Sequence, residues 1–136
     1  MRFLPLLLIV PAIGSCTGVP PAQSAAVIAR EQARLDMLTA GKVAGPPMSC
    51  LPHYRTNDMR VINDGTVVFR ESASRVYINH MDGGCTNLSN GNTLVTRTTQ
   101  TSLCRGDIAE VVDPVNHMTV GGCAFGDFIP YARPAG

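Results

Sequence analysis

The spacing of apolar positions changes along this chain, and each change marks a different kind of element. From Phe3 to Val10 the residues are apolar throughout, a run too short to span a bilayer. From Ser24 the texture is different: Ala25, Ile28, Gln32, Leu35 and Leu38 recur at three- and four-residue steps. That pattern predicts a helix from Ser24 to about Ala40, with Ser24 as its N-cap and Gly41 as its stop. Such a helix is marginal alone in water, so its apolar stripe is expected to dock on the following domain, pairing with a partner being the rival use.

From Cys50 onward the period is two. Met59–Ile62 and Thr66–Arg70 flank Asn63-Asp64-Gly65, which predicts a hairpin whose glycine takes the left-handed conformation. Arg75–His80 reads as the next strand, with Val76 and Ile78 on one face and Tyr77 and Asn79 on the other. Asp82-Gly83-Gly84 ends it. A polar loop through Asn87, Asn90, Gly91 and Asn92 leads to Thr93–Thr98, rich in β-branched residues. Gly106-Asp107 turns into Ile108–Val112, and Asp113-Pro114 begins another reversal. Gly121-Gly122 directly before Cys123 predicts a bulge or a close backbone approach. Phe125, Phe128, Ile129 and Tyr131 supply the terminal apolar mass. The expected fold class is α+β, mostly β: an N-terminal helix followed by a small antiparallel β-barrel or sandwich of about six or seven strands.

The leader assigns a compartment. Arg2 and the apolar run after it have the n-region and h-region of an export signal, and Ile13-Gly14-Ser15-Cys16 resembles the bacterial lipobox, in which the signal is cut before the cysteine and the thiol is lipidated. The organisation that follows is a lipoprotein signal peptide over residues 1–15, a Pro- and Gly-bearing tether over 16–23, helix and linker over 24–44, and a β domain over 45–136 opened by Gly45-Pro46-Pro47. The expected location is the cell envelope, lipid-anchored through Cys16 and facing the periplasm, with inner and outer membrane both open.

The chain has five cysteines. With Cys16 assigned to lipid, Cys50, Cys85, Cys104 and Cys123 form an even set in an exported domain, which predicts two disulfides. A nested pairing is expected. Joining Cys85 to Cys104 would staple the polar loop and its strand, and joining Cys50 to Cys123 would tie the opening segment to the close.

Lys plus Arg number 11 and Asp plus Glu 10, and Arg2 leaves with the signal, so the mature charge is balanced. The cations are scattered rather than gathered into a stripe, which excludes a nucleic-acid footprint. No G-x-S-x-G elbow, H-E-x-x-H, phosphate loop or dinucleotide fingerprint occurs, so a non-enzymatic role without a cofactor is expected. Asp107, Glu110, Asp113 and Asp127 are the carboxylates that a fold could pair as acid and base; beside Gly or Pro, Asp107, Asp113 and Asp127 read as turn formers. His80-Met81 and His117-Met118 carry donors soft enough for copper, against the plainer reading of a polar residue beside an apolar one at a strand end. Arg105-Gly106-Asp107 reads as a turn and Asn87-Leu88-Ser89 as loop.

Gly41-Lys42-Val43-Ala44-Gly45, Ser49-Cys50-Leu51-Pro52, Arg60-Val61-Ile62-Asn63-Asp64, Tyr77-Ile78-Asn79, Leu103-Cys104-Arg105-Gly106-Asp107 and Gly122-Cys123-Ala124-Phe125-Gly126-Asp127-Phe128 together resemble a group of small uncharacterised proteobacterial lipoproteins sharing a four-cysteine domain of unknown function. The resemblance spans residues 41–131 and implies a lipoprotein with a disulfide-bonded β domain. It implies no reaction. The function expected is that of a non-enzymatic envelope lipoprotein that binds an envelope protein partner or supports an assembly, held to the membrane by its lipid. The alternatives are a periplasmic copper-binding module using His80, Met81, His117 and Met118, and a small envelope hydrolase or hydrolase inhibitor.

Overall fold

Strand pairing gathers the chain into three antiparallel sheets in a computed structural model that describes residues 21–136, with side chains from residue 25 onward. The expected signal peptide, the lipidation candidate Cys16 and most of the expected tether lie outside the described residues. Helix α1 (Pro21–Thr39) is followed by strands β1 (Val43–Ala44), β2 (Cys50–Pro52), β3 (Met59–Asn63), β4 (Thr66–Arg70), β5 (Arg75–His80), β6 (Thr93–Thr96), β7 (Ser102–Cys104), β8 (Ile108–Val112), β9 (Thr119–Ala124) and β10 (Phe128–Ala132). The large sheet has the order β1-β10-β5-β4-β3, and the smaller ones are β2-β7 and β6-β8-β9. The chain is thus mostly β with one helix, and none of its ladders closes into a barrel among the described residues.

The helix begins at Pro21, three residues before the expected Ser24 cap. Proline suits a first turn because its missing N–H has no helical acceptor there. At the other end Gly41 adopts φ +69° and the Lys42 N–H returns to the Thr39 carbonyl at 3.0 Å, closing the helix as expected. Leu35 and Leu38 pack on Ile62, Val68, Val76 and Ile78, so the helix docks on one face of the large sheet. Ile28, expected on the same stripe, is exposed instead. Val43–Ala44, expected in a linker, hydrogen-bonds to β10 as an edge strand. An edge strand of this length leaves no period to read.

Strand β5 spans the expected residues, with Val76 and Ile78 toward the helix and Tyr77 on the other face. Both faces are buried. On the far side, Tyr77, Val67 and Phe69 of the large sheet meet Leu51 and Leu103 of the two-stranded sheet and Ala109 and Val111 of the three-stranded one. Phe69, Phe125 and Phe128 fill the middle, with ring centroids 5.9–6.2 Å apart, inside the range where aromatic pairs attract beyond their area. Asn79 is 0 % exposed. Its Oδ1 accepts the Gly126 N–H at 3.1 Å, and its Nδ2 donates to the Gly126 carbonyl at 2.8 Å and the Asp127 carbonyl at 3.3 Å. One amide therefore fixes the turn that delivers Phe125 and Phe128 to the core.

The disulfides are Cys50–Cys104 and Cys85–Cys123, which corrects the nested pairing expected from the sequence. Strand register is the reason. β2 and β7 pair antiparallel with Cys50 opposite Cys104, their Cα atoms 4.0 Å apart. Asp82 bridges to Ala124, and that contact carries Cys85 against Cys123 with Cα atoms 4.9 Å apart. Loop-closure arguments rank cross-links only among cysteines already free to meet, and here the strands choose which can. Beside Cys123 the expected irregularity occurs: the β8–β9 register shifts between Val111 and Val112, and a Cβ on Gly121 would collide with the Thr86 carbonyl.

Two outcomes test this packing. Asn79→Leu should lower stability by about 1–3 kcal/mol, because the buried Gly126 N–H and carbonyl lose their partner; denaturant unfolding measures it, and an unchanged midpoint contradicts the role. Cys50 is exposed whereas Cys85 is 0 % and Cys123 8 % exposed. Because exchange requires access for an attacking thiolate, limiting reductant under native conditions should free Cys50 and Cys104 first, as read by differential alkylation and peptide mass.

Candidate functional site

The turn between β3 and β4 connects parts of the chain that the sequence keeps far apart. Asn63 Oδ1 accepts the Gly65 N–H at 2.9 Å, an Asx turn, and Gly65 does not adopt the left-handed conformation expected of it. The side-chain acceptor removes that need. Asp64 then reaches across the sheet edge: Oδ1 accepts the Ser89 N–H at 2.7 Å and Oδ2 the Asn87 N–H at 3.1 Å, while its carbonyl accepts the Cys85 N–H at 2.5 Å. Asn87, left-handed at φ 70°, caps a single 3-10 turn over Leu88–Asn90 that buries Leu88. Burial pushes the Asp64 carboxyl up, but the bonds from Ser89 and Asn87 outweigh it and hold its pKa below the ordinary value.

This junction forms one wall of a groove whose other wall is α1. The groove holds two adjoining recesses, each of about 310 Å³, that share Arg34, Ile62 and Ser89. Val27 on the helix and Met59 and Leu88 opposite extend its apolar lining. Asn63 Nδ2 donates to Glu31 Oε2 at 3.0 Å, pinning the helix to the hairpin. Arg60 is engaged by Asp58 at 2.8 Å. The groove therefore combines an apolar strip, exposed at Val27, half-buried at Met59 and floored by the buried Ile62 and Leu88, with the guanidinium groups of Arg30 and Arg34 on the helix side.

A polar network lies on the opposite face of the large sheet. Arg55 Nε is 3.4 Å from Glu71 Oε1, an ion pair without a hydrogen bond at that nitrogen, and the Tyr77 hydroxyl donates to Glu71 Oε2 at 2.7 Å. The Arg55 guanidinium stands 5.2 Å from the Tyr54 ring centroid and 5.8 Å from that of Tyr77, within cation–π range. Burial, and then the bond to Glu71, raise the Tyr77 pKa. The phenol stays protonated and ties β5 to the segment before it. Nearby, a smaller recess of about 160 Å³ opens between Met59, Phe69, Leu94, Leu103 and Phe125, with His53 bonded to the Gln100 carbonyl at 2.8 Å on its rim.

The structure disperses the residues singled out from the sequence. Met81 is buried in the core, whereas His80 is exposed and bonded to Thr66 Oγ1 at 3.2 Å. His117 stands at φ 56° in the β8–β9 turn, and Met118 is exposed. Among the described residues no group of three or more His, Cys, Asp or Glu comes together. Asp107 accepts the Cys104 N–H at 2.7 Å, closing the Arg105-Gly106-Asp107 turn, where Gly106 has φ +87°. Asp113 accepts the Val115 and Asn116 N–H groups, which lower its pKa. Asp127 pairs with Arg105 at 3.3 Å and Glu110 with Arg97 at 3.6 Å. Each carboxylate is occupied by a turn or an exposed ion pair. Sequence reasoning passed over Asp64 and Arg34: an aspartate before glycine in a hairpin signals a local turn, and the partners of Asp64 lie 23 and 25 residues away.

Comparison of the chain with family models, curated proteins and solved structures finds no match.

Asp64→Asn should destabilise the fold by on the order of 2 kcal/mol, since hydrogen bonds to a charged acceptor are lost or weakened. A carboxyl with a lowered native pKa contributes stability that is present above the ordinary value of about 3.9 and lost as pH falls through the native one. The difference between the parent and the variant in urea unfolding should accordingly shrink below about pH 4. A difference independent of pH would contradict a charged Asp64.

Proposed function

We propose that this chain is a non-enzymatic lipoprotein of the cell envelope, anchored through Cys16 and facing the periplasm, whose β domain binds an envelope protein. The observation carrying the binding role is the groove between α1 and the β3–β4 hairpin, where exposed Val27 and half-buried Met59 lie beside Arg30 and Arg34. A partner segment with apolar side chains and acidic flanks fits that lining, because it would bury the strip and meet the guanidinium groups at its rim. The disulfides support an oxidising compartment. They also brace the smaller sheets, so that the groove is presented by a scaffold that need not reorganise on binding. The large sheet and the smaller ones, facing each other across the aromatic core, are read as an open sandwich.

The anchor and the groove have separate tests. Mass spectrometry should find the mature N-terminus at a lipid-bearing Cys16, and Cys16→Ser should leave the membrane fraction; an unmodified cysteine would end the lipoprotein reading. For the groove, a photo-crosslinking residue at position 27 in cells should give one discrete adduct that is lost on Arg34→Glu while the fold is retained by circular dichroism. An adduct insensitive to Arg34→Glu, or none, rejects this surface.

A further inference from the structure

Helix α1 ends at Thr39, and its last turn shares a recess with the ends of β4 and β10. Strand alternation puts Arg70 on the helix side with Val68, across the register from Val76, and Arg133 on the same side as Tyr131. Where the helix ends, the apolar face consequently turns cationic. Lys42, Arg70 and Arg133 line a recess of about 320 Å³ there, over an apolar patch of Met37, Leu38 and Val76.

The Lys42 ammonium is engaged by the end of α1, and the backbones of Arg70 and Arg133 are held in place. The Lys42 ammonium donates to the Leu38 carbonyl at 2.8 Å, the Arg70 N–H to the Asp58 carbonyl at 2.8 Å, and the Arg133 N–H to the Ser74 carbonyl at 3.0 Å. No carboxylate lines the recess. The four ion pairs among the described residues use Arg55, Arg60, Arg97 and Arg105. Glu71, next to Arg70 in sequence, falls on the opposite face of the strand and is held by Arg55 and Tyr77. Arg70 and Arg133 thus line one concavity without an acidic neighbour in it, like charges that an anion would offset, and guanidinium groups match an oxyanion through paired N–H donors.

We propose that this recess binds a small amphiphile with an oxyanion head, a phosphate or a carboxylate, the head on Arg70 and Arg133 and the apolar body on Met37, Leu38 and Val76. The site is separate from the groove under "Proposed function" and stands whether or not a protein binds there.

The test is calorimetric titration of the full chain carrying Cys16→Ser, both disulfides intact, with dihexanoyl phosphatidic acid, octanoate, octyl glucoside and inorganic phosphate, all below micelle-forming concentrations. At least one charged amphiphile should bind, and the tighter one names the head group. Arg70→Gln with Arg133→Gln should weaken that binding about tenfold or more, the loss expected when charge-assisted hydrogen bonds are removed. Both arginines are exposed, so the double variant should keep the parent's melting profile; rising salt should weaken binding to the parent as a second readout. The proposal is overturned if octyl glucoside binds as well as the charged amphiphiles, if inorganic phosphate alone binds as tightly, or if the double variant and salt leave affinity unchanged.

Discussion

The buried amide of Asn79 is the contact on which the two halves of the fold depend. Its hydrogen bonds to Gly126 and Asp127 hold the short link between the three-stranded sheet and the last strand of the large one. A buried amide left unpaired would be costly, so the turn has one position in which Asn79 is satisfied. That position places Phe125 and Phe128 against Phe69. The core follows from a polar constraint as much as from apolar burial.

Around that link the remaining ties hold a loop and the shortest sheet. Cys85–Cys123 and the carboxylate of Asp64 both hold the segment from Cys85 to Ser89, one by a covalent bond and the other through backbone N–H groups. Cys50–Cys104 does the same for the two-stranded sheet, which is too short to persist on its own hydrogen bonds. A domain of this size buries limited apolar surface, and its cross-links and side-chain to backbone bonds act where the strands are shortest. Both proposed binding surfaces adjoin α1, which packs on the sheet through Leu35 and Leu38 and leaves Val27, Ile28 and Met37 exposed.

Charge is balanced along the chain but not in space. At the end of β4 the alternation of side chains sends Arg70 to the helix face and Glu71 to the other, where it meets Arg55 and Tyr77. Adjacent opposite charges are thereby separated by the thickness of a strand. One face acquires a neutral network and the other a set of cations, although no composition measure reveals either.

The sequence by itself determined the periodic parts of this protein: the docking stripe at Leu35 and Leu38, the hairpin around Asn63–Gly65, the extent of β5 and the irregularity at Gly121. These are local properties, set by helical or strand spacing and by the backbone demands of turns. Only the tertiary structure decided that Cys50 meets Cys104 and Cys85 meets Cys123, that Asp64 serves a loop more than twenty residues away, and that Lys42, Arg70 and Arg133 share a recess. Each of those depends on which strands become neighbours, and strand neighbourhood is fixed by burial over the whole chain, for which no single stretch carries the signal.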